Sequence, residues 1–245
     1  MKVKLTITYD GTNFCGWQVQ PRKRTVQGEI QKALKNLTKE EIKIVGSGRT
    51  DSGVHAEGQV AEFTTSSKVP AEKFAPALNA MLPSDVKILK SQKAKDSFCA
   101  IKGAKKKTYT YRFYKSQTEL PLKERFAVRL EKDLDVTSIK ECAKLLEGEH
   151  DFKAFSSSGG SAKTSVRTIY KIAIKNTKQE LCFSITGNGF LYNMVRIIVG
   201  TLIKVGEKKA TIKDVEKMLS TKNRELGGRT LPAKGLTLTK VQYDK

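Results

Sequence analysis

Apolar and polar residues alternate from the first positions of the chain. Val3, Leu5, Ile7 and Tyr9 fall on one face and Lys2, Lys4, Thr6 and Thr8 on the other, which predicts a half-buried strand. Beyond a polar loop from Asp10 to Arg24 the period changes. Ile30, Ala33, Leu34 and Leu37 keep the i, i+3, i+4, i+7 stripe of an amphipathic helix starting near Val26, with Thr25 placed to cap it. Strands near Ile42–Ser47 and Gln59–Thr65 follow, separated by a glycine-rich loop. A helix over Ala71–Met81 stops before Leu82-Pro83, and a strand near Val86–Leu89 closes the unit. The order β-α-β-β-α-β is that of a ferredoxin-like unit, an antiparallel sheet with helices on one face.

The second half repeats that order without repeating the residues. A strand near Thr108–Tyr114 precedes a helix carrying Ile139, Cys142, Leu145 and Leu146 on one side. Strands near Val166–Ile174 and Leu181–Ile185 come next, then helices near Phe190–Val205 and Ile212–Leu219 and a last strand at Leu236–Tyr243. The expected fold class is therefore α+β. Two ferredoxin-like (RRM-like) halves, 1–102 and 103–245, form a continuous, mainly antiparallel sheet with helices on one face and a basic central cleft. The lysine-rich stretch Lys102–Lys107 makes the crossover.

Composition narrows the function. The chain has 245 residues, 38% hydrophobic and 29% charged, and no apolar run of about 18 residues that could span a bilayer. Its start lacks the apolar stretch of a secretion signal, so a cytoplasmic protein is expected. Cys15, Cys99, Cys142 and Cys182 lie far apart, and only His55 and His150 are present to help them hold a metal. No metal site is expected; four reduced, mostly buried thiols are. Charge is the strongest signal: 46 Lys+Arg against 25 Asp+Glu give +21. Such an excess points to a polyanion, because each phosphate neutralised by a cation releases condensed counterions.

Candidate chemistry concentrates in Gly46-Ser47-Gly48-Arg49-Thr50-Asp51-Ser52-Gly53-Val54-His55-Ala56, where glycines let the backbone turn tightly and approach a ligand. A dinucleotide-binding turn is excluded, since Asp51 stands where G-x-G-x-x-G needs glycine and a strand rather than a helix follows. From the residues alone, Asp51 is either a reactive carboxylate or a turn residue bonding its own backbone.

The segment Gly48 to His55 resembles the G-R-T-D-x-G-V-H signature of the TruA family of pseudouridine synthases. Tyr9-Asp10-Gly11-Thr12, Gly16-Trp17-Gln18, Thr25-Val26-Gln27, Asn79-x-x-Leu82-Pro83, Tyr109-x-Tyr111, Asp151-Phe152-x-x-Phe155 and Asn193-Met194-Val195-Arg196-x-Ile198-Val199-Gly200 follow in the family's order. The likeness runs from about residue 7 to 241. It implies isomerisation of uridine to pseudouridine in tRNA, in the anticodon stem-loop around positions 38 to 40, by a symmetric homodimer that needs no cofactor. It makes Asp51 the catalytic carboxylate, either nucleophile at the ribose or base toward a sugar proton. Arg196 pairs with Asp51 and keeps it ionised, and Tyr109 stacks on the flipped uracil. Arg49 reaches the RNA stem or the extruded nucleotide. Phe190 and Leu191 close the pocket or fill the core, Asn193 belongs to the same binding surface, and Lys105, Lys106 and Lys107 either contact phosphates or form a solvated segment. Without the resemblance, Tyr109 reads more readily as a core residue, and Arg49 equally as a surface cation.

The chain departs from the family at Phe98-Cys99-Ala100-Ile101, where F-x-A-R is usual. Loss of that arginine opens the reading of a paralogue with another RNA target. Ser52 stands where Ala is commoner. Two rivals use the same composition: a zinc nucleobase deaminase, for which His55-Ala56-Glu57 supplies H-x-E but no P-C-x-x-C exists, and a non-catalytic RNA-binding module, for which the RNP aromatic pattern is missing. The charge makes one prediction independent of the chemistry: affinity for tRNA falls steeply, by roughly 10³-fold or more between 50 and 200 mM salt if six or more phosphates are neutralised. Titrations across that range check it, and a flat response contradicts it.

Overall fold

The computed structural model describes residues 1–244. The chain divides into two compact units, the first made of Met1–Lys105 and the segment from Thr237 on, the second of Lys106–Leu236. The first unit contains β1 (Lys2–Tyr9), α1 (Val26–Thr38), β2 (Val45–Gly46), β3 (His55–Thr64), α2 (Phe74–Asn79) and β4 (Val86–Lys93). The second contains β5 (Ala104–Lys115, from Lys106 on), α3 (Pro121–Glu124), β6 (Val128–Leu130), α4 (Val136–Leu145), β7 (Gly148–Asp151), β8 (Val166–Asn176), β9 (Glu180–Gly187), α5 (Met194–Gly206) and α6 (Ile212–Thr221). From Thr237 on, β10 (Leu236–Tyr243) returns to the first unit.

In the first unit β1 lies between β3 and β4, antiparallel to both. Val3, Leu5, Ile7 and Tyr9 are buried and the residues between them half-buried, as alternation requires. The other edge of β3 is shared: β2 pairs at Glu62 and Ala61, and β10 runs parallel at His55 and Ala56. Between those two pairings the loop 47–54 leaves the sheet. Thr25 accepts the Gly28 amide at the start of α1, and Ile30 and Leu34 are fully buried, each contributing roughly 1.5–3 kcal/mol of hydrophobic stabilisation.

The second unit orders its strands β5-β9-β8-β7, antiparallel throughout, with β6 parallel on the other side of β5. Tyr109, Tyr111 and Phe113 face the same way as their partners Ile185, Phe183 and Leu181. Helix α5 is buried on every side: of its thirteen residues only Arg196 and Lys204 escape full burial. A helix apolar all round belongs inside a core, so these two cations need partners there.

Several expected boundaries are corrected. The strand expected at Ile42–Ser47 contracts to Val45–Gly46, because α1 takes the place of a sheet neighbour. Gln31 Oε1 accepts the Ile44 amide at 3.2 Å and Gln27 Nε2 donates to the Ile44 carbonyl at 2.9 Å. The strand expected from Gln59 begins at His55. Ala71–Met81 is a 3-10 turn, Ala71–Lys73, followed by the short α2. At the last residue of α2, Asn79 bonds both backbone groups of Ile88 at 2.8 Å, its side chain acting as a sheet edge. Helix α5 begins four residues later than Phe190, because Asn193 adopts a left-handed φ of 60° that helical continuity does not allow. Strands β6 and β7 and helix α3 are additional. Of the four cysteines only Cys142 is buried, so the expectation of mostly buried thiols fails.

Candidate active site

Asp51 lies half-buried in the first unit, in a loop held by three other stretches of chain and by a turn of its own. From the end of β1, the Tyr9 hydroxyl bonds Thr50 Oγ1 at 2.8 Å in a buried contact. From the following loop, the Trp17 amide donates to the Thr50 carbonyl at 3.1 Å, and the Phe14 carbonyl accepts the Gly53 amide at 3.3 Å and the Ser52 hydroxyl at 3.2 Å. From β3, Gln59 is wholly buried and joins the Ser47 hydroxyl, the Gly48 carbonyl and the Val60 amide. Within the loop the Val54 amide closes a turn on the Asp51 carbonyl at 3.1 Å.

Those contacts explain the motifs around Asp10 to Gln27. Asp10 accepts the Thr12 amide and hydroxyl, and Gly11 donates to Nδ1 of the buried His55 at 3.0 Å. That nitrogen is occupied by an amide, and among the described residues no group of three His, Cys, Asp or Glu side chains is placed to hold a metal ion such as a zinc deaminase needs. Gly16 has φ +84°, and a Cβ there would lie 2.7 Å from the Thr50 carbonyl and 3.2 Å from the Asp51 carbonyl carbon. Val26 and Gln27, the first residues of α1, donate to the Gly16 and Trp17 carbonyls. Helix α1 thus anchors the Gly16-Trp17 turn, and the turn anchors the Asp51 loop. Beyond Gly16, the Trp17 ring covers the backbone of Gly46.

Arg49 is exposed and donates through Nε to Gln18 Oε1 at 3.2 Å. Both line a cavity of about 470 Å³ together with Trp17, Gln31, Lys43 and Ile101. Ile101, 55% exposed, therefore lines the same cavity as Arg49, at the position where the resemblance leads one to expect arginine. Lys105, at the end of the same unit, pairs with Asp244 at 3.0 Å on the surface.

In the second unit Tyr109 is buried to 9% exposure on β5, with the Phe190 ring edge-on to it at 5.2 Å and 86°. Leu191 turns inward and is buried. Asn193 donates to the Ser157 hydroxyl at 3.0 Å and accepts from Arg196 Nη1 at 2.6 Å, while Arg196 Nε donates to the Leu231 carbonyl at 2.6 Å. Both partners of Arg196 are neutral oxygens, so the cation is oriented without being neutralised. The Tyr111 hydroxyl donates to the Pro232 carbonyl at 2.8 Å; burial pushes that phenol above its ordinary range, and Arg196 and Arg229 pull it down. Arg229 is a site candidate that sequence reading missed, having no motif around it.

Lys106 and Lys107 diverge as strand neighbours must. Lys106 Nζ sits over the exposed Tyr170 ring, 4.8 Å from its centroid. Burial, with Arg167 nearby, holds Lys107 below the usual lysine range. The contacts thus bring Tyr109, Phe190, Asn193 and Arg196 into one unit and set Asp51 and Arg49 in the other. Asp151 of the Asp151-Phe152 motif has a structural use: it caps the 3-10 turn Phe152–Phe155 and pairs with Lys222 at 2.7 Å, which holds its carboxyl down at about 2.

Residues 5–102 and 142–244 match a family model described as tRNA pseudouridine synthase. The tRNA pseudouridine synthase A of Acetivibrio thermocellus is 47% identical over 241 residues, covering 98% of this chain and 99% of the relative. Those of Bacillus subtilis strain 168 and Bacillus licheniformis are 47% and 46% identical over 246 residues, covering the whole of both chains. A crystal structure of the archaeal box H/ACA sRNP aligns with 82% of this chain and 43% of that one at 13% identity and a TM-score of 0.39, too remote to carry an argument.

Gly16 and Gly159 share φ +84°, but a Cβ at Gly159 meets nothing within 4 Å. The positive φ disfavours alanine at both, so the difference between them reports mainly the packing against the Asp51 loop. Gly16→Ala is expected to cost roughly 1–3 kcal/mol more than Gly159→Ala in urea unfolding; equal losses would mean that the loop yields freely.

Proposed function

The chain belongs to the tRNA pseudouridine synthase family, and from that premise we propose that Asp51 is the carboxylate with which it isomerises uridine in the anticodon stem-loop of tRNA, around positions 38 to 40. The observation that carries the proposal is the convergence of Tyr9, Phe14, Gly16, Trp17 and Gln59 on the backbone around Asp51. A turn that only reversed the chain needs no such enclosure. A carboxylate that must meet one ribose carbon does, since misplacement by about 1 Å can cost 10²-fold in rate.

The reaction breaks N1–C1′, turns the uracil and joins C5 to C1′. C5 loses a hydrogen and N1 gains one, so the product is an isomer and nothing is oxidised or reduced. Asp51 acts on the ribose as nucleophile at C1′ or as base toward a sugar proton; either role requires it ionised. The positive charge of Arg196 favours that state. The Tyr109 ring stacks on the extruded uracil, worth roughly 1–3 kcal/mol, and its hydroxyl assists the proton leaving C5. Phe190 and Leu191 exclude water from the base, and Asn193 holds Arg196 towards it. Arg49 engages the nucleotide or its stem, while Lys105, Lys106 and Lys107 take phosphates. Lys105 exchanges its exposed Asp244 partner for one, an exchange of little cost because surface pairs contribute 0–1 kcal/mol at most.

Ile101, in the cavity that Arg49 also lines, leaves one family cation out of the proposed RNA-facing surface, so we infer that contacts there are weaker. Action as a homodimer in the cytoplasm completes the proposal, supported by the family resemblance.

tRNA tritiated at C5 of uridine tests the reading, because the label leaves as C5 joins C1′. Release is expected from a wild-type anticodon stem-loop and not from one with cytidine at 38 to 40. Undiminished release from the cytidine transcript would refute the positions, and no release from any tRNA the activity.

A further inference from the structure

Helix α5 carries Arg196, Gly200 and Lys204 at i, i+4 and i+8, stacked along one face. The segment Leu226–Pro232 runs antiparallel along that face and is gripped at every step. Lys204 Nζ donates to the Leu226 and Gly227 carbonyls at 3.2 and 3.5 Å. Thr201, whose hydroxyl donates to the Ile197 carbonyl, accepts the Gly228 amide at 2.9 Å. At the middle the two backbones touch: a Cβ on Gly228 would fall 2.1 Å from the Gly200 oxygen, and one on Gly200 2.1 Å from the Arg229 oxygen. Only glycine at both positions permits that approach. One turn further along, Leu231 receives Arg196 Nε, and the next residue, Pro232, receives the Tyr111 hydroxyl. Tyr111 is itself fixed from the far side, since a Cβ on Gly235 would meet its ring at 2.6 Å.

We propose that Leu226–Pro232 is a strap whose purpose is to aim Arg196, with Lys204 and Tyr111 as the positioning residues that set it at its two ends. The proposal rests on the reading that Arg196 acts at the uridine. Three features distinguish the strap from ordinary packing. Lys204, the second cation of a helix otherwise buried, is directed to backbone carbonyls rather than to a carboxylate. Gly200 and Gly228 give up side-chain burial in order to bring the strap into backbone contact. The Leu231 carbonyl so placed orients the guanidinium while leaving its charge intact, which a carboxylate would not. The strap also carries Arg229, whose charge reaches the Tyr111 phenol as that of Arg196 does.

Tyr111→Phe removes one hydroxyl and Lys204→Met one ammonium, and neither deletes packing volume. Each is expected to slow single-turnover isomerisation at saturating tRNA by roughly tenfold or more, with tRNA Kd changed by less than about threefold and the protein folded at the assay temperature. A role confined to stability would lower the unfolding midpoint and leave that rate untouched, which overturns the proposal. A phosphate contact by Lys204 would raise Kd and flatten its salt dependence with the saturated rate intact, which overturns it too. Arg196→Lys separates the levels. If it turns over at the wild-type rate, the reading of Arg196 itself fails; if it is slow while both strap variants are fast, only the strap fails.

Discussion

Thr50 is the point on which the first unit's chemistry depends. Its hydroxyl meets Tyr9 and its carbonyl meets the Trp17 amide, so the residue before Asp51 is held from both its side chain and its backbone. Gly16 lies against the same carbonyl, closer than any residue with a side chain could come. Freezing a loop residue costs about 1–2 kcal/mol of conformational entropy, and a glycine-rich loop loses more than most. The buried Gln59 network and the anchoring of Gly16-Trp17 by the start of α1 offset that cost. Once folding has supplied it, none remains to be met when a nucleotide arrives.

The second unit solves a different problem, that of keeping a cation in an apolar helix. Burying a charge without partners is prohibitive, yet pairing Arg196 with a carboxylate of its own unit would cancel the charge. Neutral oxygens of Asn193 and Leu231 satisfy the guanidinium's donors instead. Lys204 obeys the same rule with two carbonyls. A largely apolar, buried helix thereby carries two positive charges, both hydrogen-bonded to uncharged oxygens.

Periodicity made the elements legible where the solvent boundary falls along them: β1, α1, α4 and β10 show in their alternation or stripe. It failed where side chains replace backbone partners, as Gln27 and Gln31 do for Ile44, and where pairing is too short to alternate, as in β6 and β7. Motif order disclosed the residues of the site but not their division of labour. Gly16, Gly200 and Tyr111 stand in recognisable motifs, yet their reason lies in close approaches to Thr50, Arg229 and Pro232 across tens of residues of sequence. Gln59, Arg229 and Leu231 left no signal at all, since a buried amide, a loop arginine and a backbone carbonyl are marked by nothing in composition or spacing.

The most direct test of the account concerns the charge on one side chain. Asp51→Asn keeps size and hydrogen-bonding capacity while removing the carboxylate, and tritium release from C5-labelled tRNA can be followed beside tRNA affinity in the same preparation. The account predicts that affinity stays within a few-fold of wild type while release falls by roughly 10³-fold or more, about 4 kcal/mol of barrier. Release within tenfold of wild type by the asparagine protein would contradict it.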